Sequence, residues 1–180
     1  GAGTALMWGW ILNPRFGLVN GLLAALGIDG PGWFHDPDWA MAAIVLMGLW
    51  NLGVNVVVYL AALRTVPNDL HEAAALDGAG EWARFRFVTW PALTPVTFYL
   101  AVINVIAASH VFTPTYLLTA GGPEDRTLTT ALYTYEVAFR SGQLGYAAAI
   151  TLVMFAIVVL ITAAQFRGLG GRVRLLREDG

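Results

Sequence analysis

The stretch AMAAIVLMGLWNLGVNVVVYLAAL, residues 40–63, contains no Asp, Glu, Lys or Arg. Residues 87–123 and 141–166 share this property. About 20 helical residues cross the roughly 30 Å hydrocarbon core of a bilayer, so each stretch is long enough to span one. The whole chain agrees, because 57% of its 180 residues are hydrophobic and only 12% are charged. That charged fraction is about half the value typical of soluble domains.

The alternative is a soluble protein with buried core helices, but soluble helices normally carry a polar face. The sequence therefore predicts an all-α integral membrane protein, a polytopic helical bundle with spans at residues 40–63, 92–112 and 146–166. Residues 1–13 are apolar but too short to cross. They are interpreted as the end of another span, which predicts that N-terminal spans are missing from this chain.

The segment between residues 15 and 39 is predicted to be a loop, because it is rich in Gly and Pro turn signals. Its Trp33, Phe34 and Trp39 are typical of the aromatic belt at a membrane surface.

A short helix lying along the external surface is predicted at residues 127–140, between the last two spans. Its apolar side chains recur at offsets of four, seven and eleven, which is a helical stripe facing protein or lipid: Leu128, Leu132, Tyr135 and Phe139. A plain connecting loop is the alternative.

Arginine placement predicts the orientation, because cytoplasmic segments keep the positive charges. One side of the predicted spans holds Arg64, Arg84, Arg86, Arg167, Arg172, Arg174 and Arg177, and the other holds Arg15, Arg126 and Arg140. The C-terminus and residues 66–91 are therefore predicted to be cytoplasmic.

This cytoplasmic segment reads VPNDLHEAAALDGAGEWARFRFVTWP. Pro67 suits the first turn of a helix and Gly78 suits its end, which predicts one helix at residues 67–77. A second helix is predicted at residues 81–89, ended by Pro91.

A helical projection of the first of these helices separates two faces. Val66, Leu70, Ala73 and Ala74 fall on one side, whereas Glu72 points to the other. A helix with one apolar face and one projecting carboxylate is typical of a docking element. The alternative is that Glu72 is a solvated surface acid.

The stretch EAAALDGA, followed by Phe85, VTWP and ALTP, resembles the EAA loop of permease subunits in binding-protein-dependent ABC importers. The carbohydrate branch of that family, the maltose and glycerol-3-phosphate type, is similar along essentially the whole chain, in LNPRFGLVNGLLAALGI, LWNLGVNVVVYLAALRTVP, VFTPTYLLTAGGP and AFRSGQLGYAAAI. The resemblance implies the type I ABC importer permease fold, with this chain corresponding to its C-terminal portion.

What the resemblance implies for the loop is a coupling helix seated in a cleft of an ATP-hydrolysing subunit. Glu72 would pair with a basic residue there, Ala73 and Ala74 would allow close packing, and Gly78 would make the turn, with Asp77 beside it. The departures are Trp90, where Leu is more frequent, and His71, where an aromatic residue is common.

The implied partners are ATP-binding ABC subunits, a second permease subunit, an external solute-binding protein, membrane lipid and a sugar or polyol substrate, with no nucleic acid. The implied location is the bacterial cytoplasmic (inner) membrane. The chain itself is not expected to be an enzyme or to bind a cofactor or metal. It has no G-x-x-x-x-G-K-[ST] phosphate loop, so ATP and Mg²⁺ belong to the ATPase partner.

A substrate pathway is sought inside the spans, where polar groups are costly and usually functional. The candidates are Asn51 and Asn55, one helical turn apart, and Asn104 in the middle of the next span. Amides offer both donors and acceptors to hydroxyl-rich ligands. The alternative is hydrogen bonding between helices, worth about 0.6 kcal/mol on average.

A secondary transporter or ion channel is the rival function. Proton or ion coupling commonly relies on intramembrane carboxylates, and the three predicted spans contain none. Metal-dependent catalysis is not indicated either, because the three histidines lie in three different regions and no H-E-x-x-H pattern occurs.

Overall fold

The computed structural model describes the backbone of residues 1–178 and the side chains of residues 1–167. Within that part of the chain the regular structure is entirely helical. In chain order it comprises α1 (Ala2–Ile11), α2 (Leu18–Ala25), a 3-10 turn (Trp33–His35), α3 (Ala40–Leu49), α4 (Leu52–Leu63), α5 (Asn68–Leu76), α6 (Glu81–Arg84), a π turn (Phe85–Thr89), α7 (Trp90–Ser109), a π turn (Thr115–Thr119), α8 (Thr130–Tyr135), a π turn (Glu136–Arg140) and α9 (Leu144–Glu178).

Three helical stretches are long and apolar enough to cross a membrane, namely Ala40–Leu63, Glu81–Ser109 and Leu144–Arg167. The first is interrupted where α3 ends and α4 begins. There the backbone N–H groups of Trp50 and Asn51 each bond to a carbonyl only three residues back. Asn51 therefore lies in a short turn within this span, whose bounds agree with the predicted span at residues 40–63.

The expected helix end at Pro91 is wrong, because α6, the π turn Phe85–Thr89 and α7 form one continuous helix from Glu81 to Ser109. The N–H of Trp90 donates to the Phe85 carbonyl, five residues back. This wide turn comes immediately before Pro91, which has no backbone N–H to donate. The altered hydrogen-bond register therefore accommodates the proline.

The chain divides into two compact units. One comprises Gly1–Asn51 and Ala107–Ala156, and the other Leu52–Ile106 with Ile157 onward. The core of the first unit is a cluster of buried side chains from the N-terminal helices and the following segment: Leu12, Trp33, Phe34, Ala43 and Ile44. In the second unit α7 contributes the buried Leu93 and Leu100, and Phe98 packs edge-to-face against Phe166 with ring centroids 4.6 Å apart.

Residues 15–39 are not the plain loop expected from their glycines and prolines, because α2 occupies Leu18–Ala25. Asn20 on this helix is buried and holds the segment together. Its Nδ2 donates to the carbonyls of Pro14 and Pro31, each at 3.2 Å, and its Oδ1 accepts from Trp33 Nε1 at 2.6 Å. A Cβ added at Gly30 would overlap the Asn20 amide, so this approach requires glycine.

The expected aromatic belt is wrong for two of its three residues. Trp33 and Phe34 are buried in the core of the first unit, whereas Trp39 remains exposed. Trp33 also has a φ of +44°, a backbone conformation that bulky residues rarely adopt. The hydrogen bond to Asn20 satisfies its indole N–H inside the core, which a belt position would have left to water.

The segment after α7 is organised by threonine hydroxyls. Thr127 Oγ1 donates to the Gly122 carbonyl at 2.8 Å and lies 2.6 Å from Thr119 Oγ1, while Thr129 Oγ1 donates to the Val111 carbonyl at 2.7 Å. The Gly122–Pro123 peptide within this segment is cis. The bonds close a compact connection that leads into α8.

The predicted surface helix at residues 127–140 begins at Thr130 and continues through the π turn Glu136–Arg140. Leu132 is buried as the stripe predicts, but Phe139 is exposed, and Val137 is buried instead. The wide turn explains the change, because it shifts the buried position to an offset of five residues from Leu132.

We expect Asn20→Ala to destabilise the full-length protein by about 2 kcal/mol, since it leaves the buried Trp33 N–H and two carbonyls without partners. Thermal unfolding in detergent measures the change. Asn68→Ala, at an exposed helix start, is the matched control and should have little effect. Equal stability of the two variants would contradict the anchoring role of Asn20.

Candidate functional site

The helix α5 is defined by local signals at both ends. Pro67 has an extended conformation immediately before the helix, and Asp69 lies in its first turn, where a carboxylate stabilises the positive end of the helix dipole. At the other end, Gly78 has a φ of +80°. The N–H of Ala79 donates to the Ala74 carbonyl at 2.9 Å and that of Gly78 to the Ala75 carbonyl at 3.0 Å, which is a Schellman motif.

The surface of α5 is largely open, because the helix has no buried residue and only His71 and Ala74 are half-buried. Leu76 is 90% exposed and Leu70 is 51% exposed. A helix with this much uncovered apolar surface is typical of an interaction site.

The predicted coupling residues are brought together on this helix and its end. Glu72, Ala73, Asp77 and Gly78 are exposed, whereas Ala74 is half-buried. Val66, which the projection placed on the same face as Leu70, precedes the helix and does not belong to it.

Sequence reasoning missed Leu76. It follows Glu72 by four residues and therefore shares its side of the helix, away from Leu70. The sequence did contain a signal for it. Leu76 is a large apolar residue on the same side as the Glu72 carboxylate, so the helix does not divide simply into an apolar face and a charged face.

The residues after α5 carry aromatic and basic side chains. Trp82 stacks on Phe85 with ring centroids 5.7 Å apart, and the Arg86 guanidinium lies 5.9 Å from the centre of the Phe87 ring. Trp82 and Phe87 are both strongly exposed. Arg84 Nε is shielded from solvent and has no hydrogen-bond partner among the described residues.

The three candidate pathway asparagines do not form one site. Asn55 on α4 and Asn104 on α7 meet, with Asn55 Nδ2 donating to Asn104 Oδ1 at 3.4 Å. Asn51 belongs to the turn between α3 and α4 and is exposed. The contact between α4 and α7 fits the alternative of hydrogen bonding between helices.

Four aromatic rings cluster where α8 meets the segment after α7. Phe112 stacks on Tyr116 at 5.2 Å, and Tyr135 contacts both of these rings and Phe139. The hydrogen bond with Tyr116 raises the pKa of the Tyr135 hydroxyl above its ordinary value. The Arg140 guanidinium pairs with Glu136 at 3.0 Å. Sequence reasoning found the helix but not this cluster.

The described residues were also considered as metal ligands. Among the described residues, no group of three or more His, Asp or Glu side chains is placed to hold a metal ion.

Known proteins are similar to this chain in sequence and in fold. Residues 4–174 match the family described as "Binding-protein-dependent transport system inner membrane component". The probable ABC transporter permease protein YesP of Bacillus subtilis is 39% identical over 91% of this chain and 54% of its own length. The sulfoquinovosyl glycerol transport system permease protein SmoG of Agrobacterium fabrum is 37% identical over the same shares. The sn-glycerol-3-phosphate transport system permease protein UgpA of Escherichia coli is 35% identical over 95% of this chain and 58% of its length.

A solved structure agrees with these relatives. The crystal structure of a bacterial ABC transporter involved in the import of the acidic polysaccharide alginate matches 92% of this chain and 60% of its own, with a TM-score of 0.74 and 25% identity. The chain thus spans about half the length of the curated relatives it matches. The match over residues 4–174 and the apolar helices together identify the chain as a member of the family of binding-protein-dependent transport system inner membrane components.

Proposed function

We propose that this chain is part of a permease subunit of an ATP-driven importer for a sugar or sugar-like solute. The helix α5 is its docking element for an ATP-hydrolysing ABC subunit. The observation that carries this proposal is the largely open surface of α5, with Leu76 and Glu72 exposed, in a member of an importer family. Family membership argues against the rival of a secondary transporter or channel.

The substrate class rests on the relatives. Their names state transport of sulfoquinovosyl glycerol, lactose and sn-glycerol-3-phosphate, all of them polyhydroxylated solutes. The neutral amides of Asn51, Asn55 and Asn104 are proposed to face the pathway, because an amide can both donate to and accept from hydroxyl groups.

The partners follow from the same proposal. One solved relative is an alginate ABC transporter in complex with a periplasmic protein that carries an alginate pentasaccharide. We propose an equivalent external binding protein here, together with ATPase subunits and a second permease subunit. ATP and Mg²⁺ are bound by the ATPase subunits.

The orientation is proposed to place α5 and the C-terminus in the cytoplasm of a bacterial inner membrane. Arg64, Arg84, Arg86 and Arg167 support this orientation by the positive-inside rule. The side chains of Arg172, Arg174 and Arg177 lie outside the described residues.

The coupling step is an electrostatic and apolar contact. An exposed carboxylate at Glu72 pairs with a basic residue of the ATPase subunit, and burial of Leu76 by that subunit contributes about 2 kcal/mol. Gly78 ends the helix, so the contact surface is confined to about two turns.

Glu72→Arg should reduce ATPase association at least about tenfold and abolish uptake, because it replaces attraction by repulsion of the same basic partner. Copurification with the full-length permease in membranes measures association. Glu124→Arg, an exposed acid after α7, is the control and should leave association unchanged. Normal ATPase yield with the Glu72→Arg protein would remove Glu72 from the contact.

Leu76→Ser should weaken ATPase association about tenfold, since it removes most of the apolar area that the partner would bury. Permease level should not fall, because the side chain is already exposed in the chain itself. Leu26→Ser tests the specificity of the effect, because Leu26 is also strongly exposed but follows α2. If both variants retained the ATPase equally, the apolar part of the docking surface would lie elsewhere.

Gly78→Ala should weaken ATPase association about fivefold, because a Cβ in the left-handed conformation costs about 1 kcal/mol. The space around Gly78 is open, so the cost comes from the backbone conformation and not from a clash. Gly21→Ala, in the open helical position of α2, is the control. Equal association for the two alanine variants would show that the end of α5 does not affect docking.

A further inference from the structure

Two polar contacts join α4 to α7 within the second unit. The Tyr59 hydroxyl donates to Thr97 Oγ1 at 3.1 Å, and Asn55 Nδ2 donates to Asn104 Oδ1 at 3.4 Å. The helix α4 precedes α5 in the chain and α7 follows it, so each contact closes a loop that contains α5. Both contacts have the donor on α4 and the acceptor on α7.

Each acceptor side chain is held by a second bond within its own helix. Thr97 Oγ1 donates to the Leu93 carbonyl at 3.0 Å, and Asn104 Nδ2 donates to the Leu100 carbonyl at 2.8 Å. A side chain bonded four residues back along its helix has little freedom to rotate. The acceptor oxygens are therefore kept directed at α4 before the contact forms.

The spacing of the contacts makes them resist relative movement of the helices. Asn55 and Tyr59 are about 6 Å apart along α4, while Thr97 and Asn104 are about 10 Å apart along α7. The longer tyrosine side chain bridges the difference. Two separated contacts between antiparallel helices oppose both sliding and rotation, which a single contact does not.

We infer that Tyr59, Thr97, Asn55 and Asn104 form a polar clamp that makes α4 and α7 move as one body when α5 is displaced. This inference rests on the proposed function and adds positioning residues to it. An apolar interface permits small shifts of register, whereas separation of the half-buried Tyr59 hydroxyl from Thr97 inside a membrane leaves a donor with no water to replace its partner. The clamp thus passes a displacement of α5 to both helices together.

The clamp does not exhaust the hydrogen-bonding groups of its amides. Each asparagine keeps a further N–H, so contact of Asn55 and Asn104 with a substrate is compatible with the clamp. Tyr59 and Thr97 separate the two roles, because neither is a pathway candidate.

The test is a distance measurement on the full-length permease assembled with its ATPase subunits. Spin labels are placed at Val57→Cys on α4 and Ile103→Cys on α7, two exposed positions, with other cysteines of the full-length chain replaced. Distances are recorded without nucleotide and after trapping with MgATP and vanadate. We expect the same label separation in both states.

Removal of the clamp should allow α4 and α7 to move independently of each other. In the Tyr59→Phe/Asn104→Leu protein we expect a broader distance distribution without nucleotide and a shift of roughly 1–2 Å on trapping, the size of helix shifts in switching proteins. Tyr99→Phe removes an exposed hydroxyl from α7 outside the clamp and should behave as the unaltered protein. In a double-mutant cycle, the effects of Tyr59→Phe and Thr97→Val on the width of the distance distribution should also be non-additive.

A state-dependent separation in the unaltered protein would overturn the clamp, as would unchanged distributions in the clamp variant. Failure of the proposed function has a different signature, because it appears as a complex without copurifying ATPase. The nucleotide-free distributions still decide the clamp in that case, since a clamped pair must broaden on removal of its contacts.

Discussion

A bilayer provides no water for backbone hydrogen bonds, and the rest of this structure depends on that constraint. Each N–H and C=O inside the hydrocarbon must find a partner in the chain, so the apolar stretches are helical. The backbone also stays hydrogen-bonded where the helices depart from regular geometry. At Pro91 the chain does not stop the helix but widens one turn to π geometry, which keeps the backbone bonded around a residue with no N–H. At Trp50 and Asn51 a short turn takes the place of the regular helical bonds.

Several polar side chains shielded from water also find partners within the chain, because a buried polar group without one is costly. Asn20 is buried with three hydrogen bonds and ties the ends of its segment to Trp33. The threonines after α7 bond to carbonyls and to one another. On α4 and α7 the donors and acceptors pair between helices. Each of these side-chain hydrogen bonds fixes the relative position of the two segments that it joins. Apolar contacts alone would leave that position adjustable.

The helix α5 differs because its surface is largely open, and this openness supports the docking role that we propose for it. Its stability comes from its two ends, with Asp69 in the first turn and Gly78 closing the last, and not from burial against the chain. A helix that is formed but uncovered loses little conformational entropy when another protein covers it. The exposed Leu76 and Glu72 then provide area and charge on the same side.

The sequence by itself determined the membrane class, the family and the location of α5, because these depend on charge-free length, local motifs and helix-end residues. It also predicted the glycine at which α5 ends. It did not predict that Trp33 and Phe34 are core residues, that Leu76 is uncovered, or that the helix continues through Pro91. Nor did it show that the amides of Asn55 and Asn104 contact each other. Only the tertiary structure decided these matters, because burial and hydrogen-bond partners come from residues distant in the chain. Examples are Asn20 for Trp33 and Thr97 for Tyr59. The local sequence does not indicate which distant residue will contact a given side chain.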